Sequence, residues 1–137
     1  MAANAKTVLI IDDDKLVLAM YKFAFEDHGY RVLLADDGNA GLRALEAQTV
    51  DVVFLDILMP EKEGLETLLE IKQRFPEVAV FVMSGGGMRG KHDFLTVAKK
   101  FGATGVVRKP ATPKELIALI DALPAKHAAP ETNQRIA

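Results

Sequence analysis

Four short apolar runs, each ending on a side chain capable of chemistry, constrain the fold of this chain most tightly. Val52-Val53-Phe54-Leu55 stops at Asp56, and Pro60 follows soon after. Val8-Leu9-Ile10-Ile11 runs into Asp12-Asp13-Asp14. Val80-Phe81-Val82-Met83 stops at Ser84, and Val106-Val107 leads to Arg108-Lys109-Pro110. Unbroken apolar runs of this length are typical of strands covered on both faces, and such strands belong to parallel sheets. In a parallel sheet all the strand ends point the same way. Acids, a hydroxyl and a lysine then converge on one edge. That set can hold a divalent metal ion and a phosphoryl group.

Helical signals fill the intervals. Over residues 15–28, Leu16, Met20, Phe23 and Ala24 follow helical spacing as the apolar stripe, and Gly29 suits the stop. Residues 30–35 read as a second strand and 39–47 as a short helix. Leu65, Leu68, Leu69 and Lys72 mark a helix over 64–75, closed by Pro76. Phe94, Val97, Ala98 and Phe101 stripe another, ending at Gly102. Pro113 suits the first position of a last helix, striped by Leu116, Ile120 and Leu123. With strands at 7–11, 50–55, 78–83 and 105–108, strands and helices alternate throughout, which predicts an α/β sandwich around a parallel sheet. Residues 124–137 carry Ala, Pro, Thr, Asn and Gln without periodicity and read as a flexible tail, so the folded domain is expected over 1–123.

Composition narrows the function classes. The chain has 137 residues, 50% of them hydrophobic, which suits one domain with a real core. Net charge is -2, so nucleic-acid binding by bulk electrostatics is not expected. Cysteine is absent, which removes disulfides, thiol catalysis and thiolate metal sites. No apolar stretch approaches the ~20 residues of a membrane span. The first residues do not resemble a signal peptide, and a soluble cytoplasmic protein is the expectation.

The strand-end residues, taken together, resemble the receiver domain of two-component response regulators, of the stand-alone chemotaxis-receiver type. The resemblance covers residues 6–123 and rests on signatures in the right order. They are Asp12-Asp13 after the first strand and Asp56 after the third, with Met59-Pro60 and Gly64 following it. Ser84 comes after the fourth strand, Gly102-Ala103 before the fifth and Lys109-Pro110 after it. The resemblance implies a doubly wound, flavodoxin-like three-layer sandwich with strand order 2-1-3-4-5. It also implies a cis Lys109-Pro110 peptide.

The resemblance assigns roles. Asp56 is the expected nucleophile, since a carboxylate can attack phosphorus and form an acyl phosphate. Three neighbouring carboxylates repel one another, and a hard divalent ion relieves this. Mg²⁺ is the expected cofactor, with Asp13 and Asp56 as direct ligands, the Leu58 carbonyl as a third oxygen and Asp12 acting mainly through water. Lys109, a compact point charge, and the Ser84 hydroxyl are expected to meet the phosphoryl oxygens. The expected phosphodonor is a histidine kinase or a histidine phosphotransfer protein. The target is an unidentified protein, with no nucleic acid or membrane involved. A monomer or a weak phosphorylation-dependent dimer is expected.

Single residues also have plainer readings. Asp14 reads as a helix cap. Gly85-Gly86-Gly87 matches neither the dinucleotide fingerprint nor the P-loop, and reads as a flexible loop beside the site. Three positions depart from the family pattern. Val106 stands where many receivers carry an aromatic switch residue, Ala111 where many carry Phe after Lys-Pro, and Gly85 where Ala is common. Motion of the 85–87 loop and of the 91–101 helix is expected to replace part of the aromatic switch.

Too few residues follow Leu123 for an output module, so the chain is expected to act alone, as a phosphoryl shuttle or by docking on a target. It is expected to catalyse only its own phosphorylation and dephosphorylation. Two other classes compete. A phosphorylation-independent pseudo-receiver would bind partners without chemistry. A small hydrolase with an aspartyl-phosphate intermediate would want a second acid two residues after the nucleophile, where this chain has Leu58.

Overall fold

The computed structural model describes residues 5–57, 61–85, 96 and 98–124, with 61–63 described by backbone alone. The chain alternates β1 (Thr7–Ile11), α1 (Lys15–Asp27), β2 (Arg31–Ala35), α2 (Gly38–Ala47), β3 (Val52–Asp56), α3 (Glu61–Arg74), β4 (Ala79–Ser84), β5 (Gly105–Arg108) and α4 (Pro113–Asp121). All strands pair in parallel, in the order β2-β1-β3-β4-β5. The fold is the expected doubly wound α/β sandwich. Most of the helix expected before Gly102 lies outside the described residues, although 98–100 are helical.

The period of two along a strand divides the core into two layers. Leu9, Ile11, Val53, Leu55, Val80 and Val82 face Leu42, Leu45, Leu68, Ile71 and Ala98, so α2 and α3 cover that side. Val8, Ile10, Val52, Phe54, Phe81 and Met83 face Leu18, Tyr21, Phe25, Leu116 and Ile120, so α1 and α4 cover the other. Phe54 anchors this second layer, stacked on Phe81 with ring centroids 5.4 Å apart and set 6.0 Å from Phe25.

Helix α1 corrects the sequence reading. Its buried residues are Leu18, Tyr21 and Phe25. Leu16 is 81% exposed and Phe23 77%, and Met20 is exposed too; of the expected stripe only Ala24 packs against the core. Both stripes obey helical spacing, and they lie on roughly opposite sides of a helix with ~3.6 residues per turn. Periodicity alone could not choose between them. The stripe carrying Tyr21 and Phe25 goes inward because their rings pack against each other and against Phe54.

Local signals set the element ends. Asp14 caps α1 as expected, its side chain accepting from the Leu16 and Val17 amides. Beyond the α1 cap, Gly29 takes φ 103°, a left-handed conformation that glycine adopts without steric cost. Thr112 and Glu115 form a capping box on α4, with Pro113 in its first turn.

Candidate functional site

Sheet register assembles the rim. Ile11 pairs with Leu55, so Asp12 and Asp56 leave adjacent strands at the same level. Asp56 pairs with Met83, which puts Ser84 one position further along β4. Ser84 pairs with Arg108, and Lys109 follows. The strand order reverses at β1 and β3, and ligands of doubly wound sheets sit beyond the carboxyl ends at such a point.

The side chains meet there. The Lys109 ammonium lies 3.2 Å from Asp12 Oδ2 and 3.4 Å from Asp56 Oδ2. Both carboxylates are buried. Asp12 Oδ1 also accepts the Asp14 N–H at 2.9 Å, and the Asp12 N–H donates to the Ala35 carbonyl of β2. One carboxylate oxygen from each of Asp12, Asp13 and Asp56 lies within 4.8 Å of the others, with Asp13 exposed to solvent. Ser84 is buried at the end of β4, its hydroxyl 3.4 Å from the Gly85 carbonyl. The Lys109 N–H donates to the Ser84 carbonyl at 2.8 Å, and the Lys109–Pro110 peptide is cis. Leu58 lies outside the described residues, as does the glycine loop beyond Gly85.

The response regulator receiver domain model matches residues 8–121. The chain belongs to that family. It is 31% identical over 116 residues to the transcriptional regulatory protein CpxR of Klebsiella pneumoniae, covering 85% of this chain and 48% of that protein. The chain thus spans about half the length of the curated relatives it matches. Among solved structures, a response regulator receiver domain protein from Clostridium thermocellum superposes with a TM-score of 0.78 at 35% identity, covering 90% of this chain and 98% of that one. A CheY-like receiver domain protein from Methanospirillum hungatei gives 0.75 at 29% identity, covering 86% and 92%.

The electrostatics of this receiver rim follow from burial. Two buried acids side by side are costly, and Lys109 offsets part of their charge. Burial by itself lowers the lysine's pKa, but Asp56 and then Asp12 outweigh it, and the net shift is upward from 10.5. With Asp13 included, three acids face one lysine, and negative charge remains. An oxygen-only, acidic donor set of this kind fits a hard divalent cation. Among the described residues, no helix is long and apolar enough to cross a membrane.

One residue of this neighbourhood escaped the sequence reading. Tyr21 is buried, and its hydroxyl donates to the Ala111 carbonyl at 2.8 Å, just beyond Lys109-Pro110. The available signal was the 18, 21, 25 spacing of large apolar side chains, masked by the competing stripe at 16, 20 and 23. Val106 is partly buried against the α2 and α3 layer of the core.

Proposed function

We propose that this receiver accepts a phosphoryl group on Asp56 from a histidine kinase or histidine phosphotransfer protein, with Mg²⁺, and thereby changes its contacts with a target protein. The observation that carries this reading is the Asp56 carboxylate, buried at the sheet rim with Lys109 at 3.4 Å and two further acids within 4.8 Å. Two buried carboxylates with a third, exposed one beside them repel one another, a cost that a bound cation would relieve.

In the transfer, a carboxylate oxygen of Asp56 bonds to phosphorus while the P–N bond to the donor histidine breaks. The bonding pair leaves with the imidazole nitrogen. Lys109 trades its carboxylate partners for a phosphoryl oxygen and neutralises charge there. The Ser84 hydroxyl donates to another phosphoryl oxygen. Asp13 and Asp56 hold the metal directly. Asp12, whose Oδ1 accepts the Asp14 N–H, would act mainly through water. When bound, Mg²⁺ supplies Lewis-acid stabilisation of the charge on the phosphoryl oxygens. The chain catalyses only its own phosphorylation and dephosphorylation, and it works in the cytoplasm.

Intact mass after incubation with a small acyl phosphate tests this. The wild type should gain a single hydroxylamine-labile phosphoryl group, and only with Mg²⁺. Asp56→Asn should gain none. Equal labelling of that variant removes Asp56 as acceptor. No labelling of the wild type leaves a pseudo-receiver, and sustained turnover of phosphate esters points to the hydrolase class.

A further inference from the structure

Tyr21 carries a buried hydroxyl to which the phosphoryl chemistry assigns no role. It lies on α1 with 2% of its surface exposed. Its hydrogen bond to the Ala111 carbonyl joins groups 90 residues apart in sequence. Ala111 stands two positions after Lys109, and the next residue, Thr112, caps α4. The turn bearing Lys109 is therefore held at two points. On the sheet side, the Lys109 N–H binds the Ser84 carbonyl; on the helix side, the Ala111 carbonyl binds Tyr21.

The contacts close a ring. Lys109 meets Asp12, Asp12 accepts the amide of Asp14, and Asp14 caps the helix that carries Tyr21. The Tyr21 ring packs on Phe25, which packs on Phe54, so the hydroxyl is a fixed anchor rather than a mobile one. Burial raises the phenol's pKa above 10.0, which keeps the donor proton in place. Removing the hydroxyl would leave a buried carbonyl without that donor, at a cost larger than an exposed bond carries.

We propose that Tyr21 is a positioning residue for Lys109: through the Ala111 carbonyl it sets where the ammonium group stands relative to Asp56, and it passes a shift of that group into helix α1. The proposal rests on the reading of Asp56 as phosphoryl acceptor. A phosphoryl group on Asp56 makes Lys109 exchange partners. The turn then moves against its two tethers, and one of them is built into α1.

The test uses the whole chain as wild type, Tyr21→Phe, Lys109→Met and the double variant. Labelling by acetyl phosphate with Mg²⁺ is followed against donor concentration. Hydrogen exchange is measured with and without beryllofluoride. Tyr21→Phe keeps the packed ring. It should slow labelling about fivefold to tenfold at saturating donor, the scale of one lost positioning bond, without changing the half-saturating donor concentration. In the Lys109→Met background the same change should slow labelling no further, because the effect runs through the lysine. Wild-type α1 should change protection when beryllofluoride binds, and Tyr21→Phe should lose that response. A wild-type rate in Tyr21→Phe, or equal slowing in both backgrounds, overturns the proposal. Should Tyr21→Phe not fold, wild-type exchange decides: unchanged α1 protection defeats the coupling. A wild type that takes no label, or an Asp56→Asn that takes as much, instead defeats the underlying reading.

Discussion

Lys109 and the acids around it form a balance that a metal can tip. The lysine lies 3.2 Å from Asp12 and 3.4 Å from Asp56, and both carboxylates are buried. Lys109→Met leaves that negative charge uncompensated, and should lower metal-free stability by ~1–3 kcal/mol at neutral pH, less than for a fully buried pair because the lysine is partly exposed. Mg²⁺ should narrow the gap, since a cation replaces the lost charge. Asp13→Ala acts in the opposite sense. It removes repulsion, so the metal-free fold should hold or gain stability. It should also forfeit most of the Mg²⁺-induced stabilisation, which for the wild type would amount to ~2.7 kcal/mol when Mg²⁺ is ~100-fold above its dissociation constant. Asp12→Ala should keep more of that stabilisation. Thermal melts with Mg²⁺ and with chelator measure both effects. An undiminished Mg²⁺ response in Asp13→Ala would take that residue out of the metal site.

Elements here are tied to one another at their ends as well as through their faces. Tyr30, entering β2, donates its hydroxyl to Asp121 at the end of α4, and His28 Nε2 beyond α1 lies 3.9 Å from the same carboxylate. Burial first, then the hydrogen bond and charge of Asp121, raise the Tyr30 pKa above its usual 10.0. The folded chain keeps this proton at a pH where the unfolded chain has released it. Its stabilisation is complete below pH 10.0 and is lost as pH rises through the higher folded value. Tyr30→Phe should therefore be less stable than wild type at neutral pH, by ~1 kcal/mol for one lost bond. It should also lose stability less steeply above pH 10.0. Urea titrations across that range read the slope. Parallel curves for the two proteins would exclude Tyr30 as the titrating group.

At the scale of the molecule, one layer of aromatic rings joins the sheet to α1. Phe54 contacts Phe81 and Phe25, and Phe25 contacts Tyr21 and Tyr30. Phe54→Ala should cost ~3–5 kcal/mol, because a large fully buried side chain leaves a cavity that a close-packed sheet cannot fill. Phe23→Ala, on the outer side of α1 at 77% exposure, should change stability by less than ~0.5 kcal/mol. Denaturant midpoints for the two variants check the assignment of inner and outer faces. Comparable losses would mean that the helix is turned the other way.

The sequence by itself determined the strands, their parallel arrangement and the chemistry at their ends. Buried parallel strands must be continuously apolar, so Val52-Val53-Phe54-Leu55 and its counterparts are legible, and the carboxylates and lysine that end them stand out against that background. Helix starts were equally legible at Asp14 and Pro113, because they depend on neighbours in the chain. The rotation of α1 was not. Leu16, Met20 and Phe23 satisfy helical spacing as well as Leu18, Tyr21 and Phe25 do, and only packing against Phe54 selects the second set. The tertiary structure also decided the partners of Lys109, which lie 97 and 53 residues away at Asp12 and Asp56, and the hydroxyl of Tyr21 on Ala111. Local pattern encodes what a residue does within its own strand or helix. Which distant group it meets is set by sheet register and by the competition among faces for the core, and both exist only once the chain has folded.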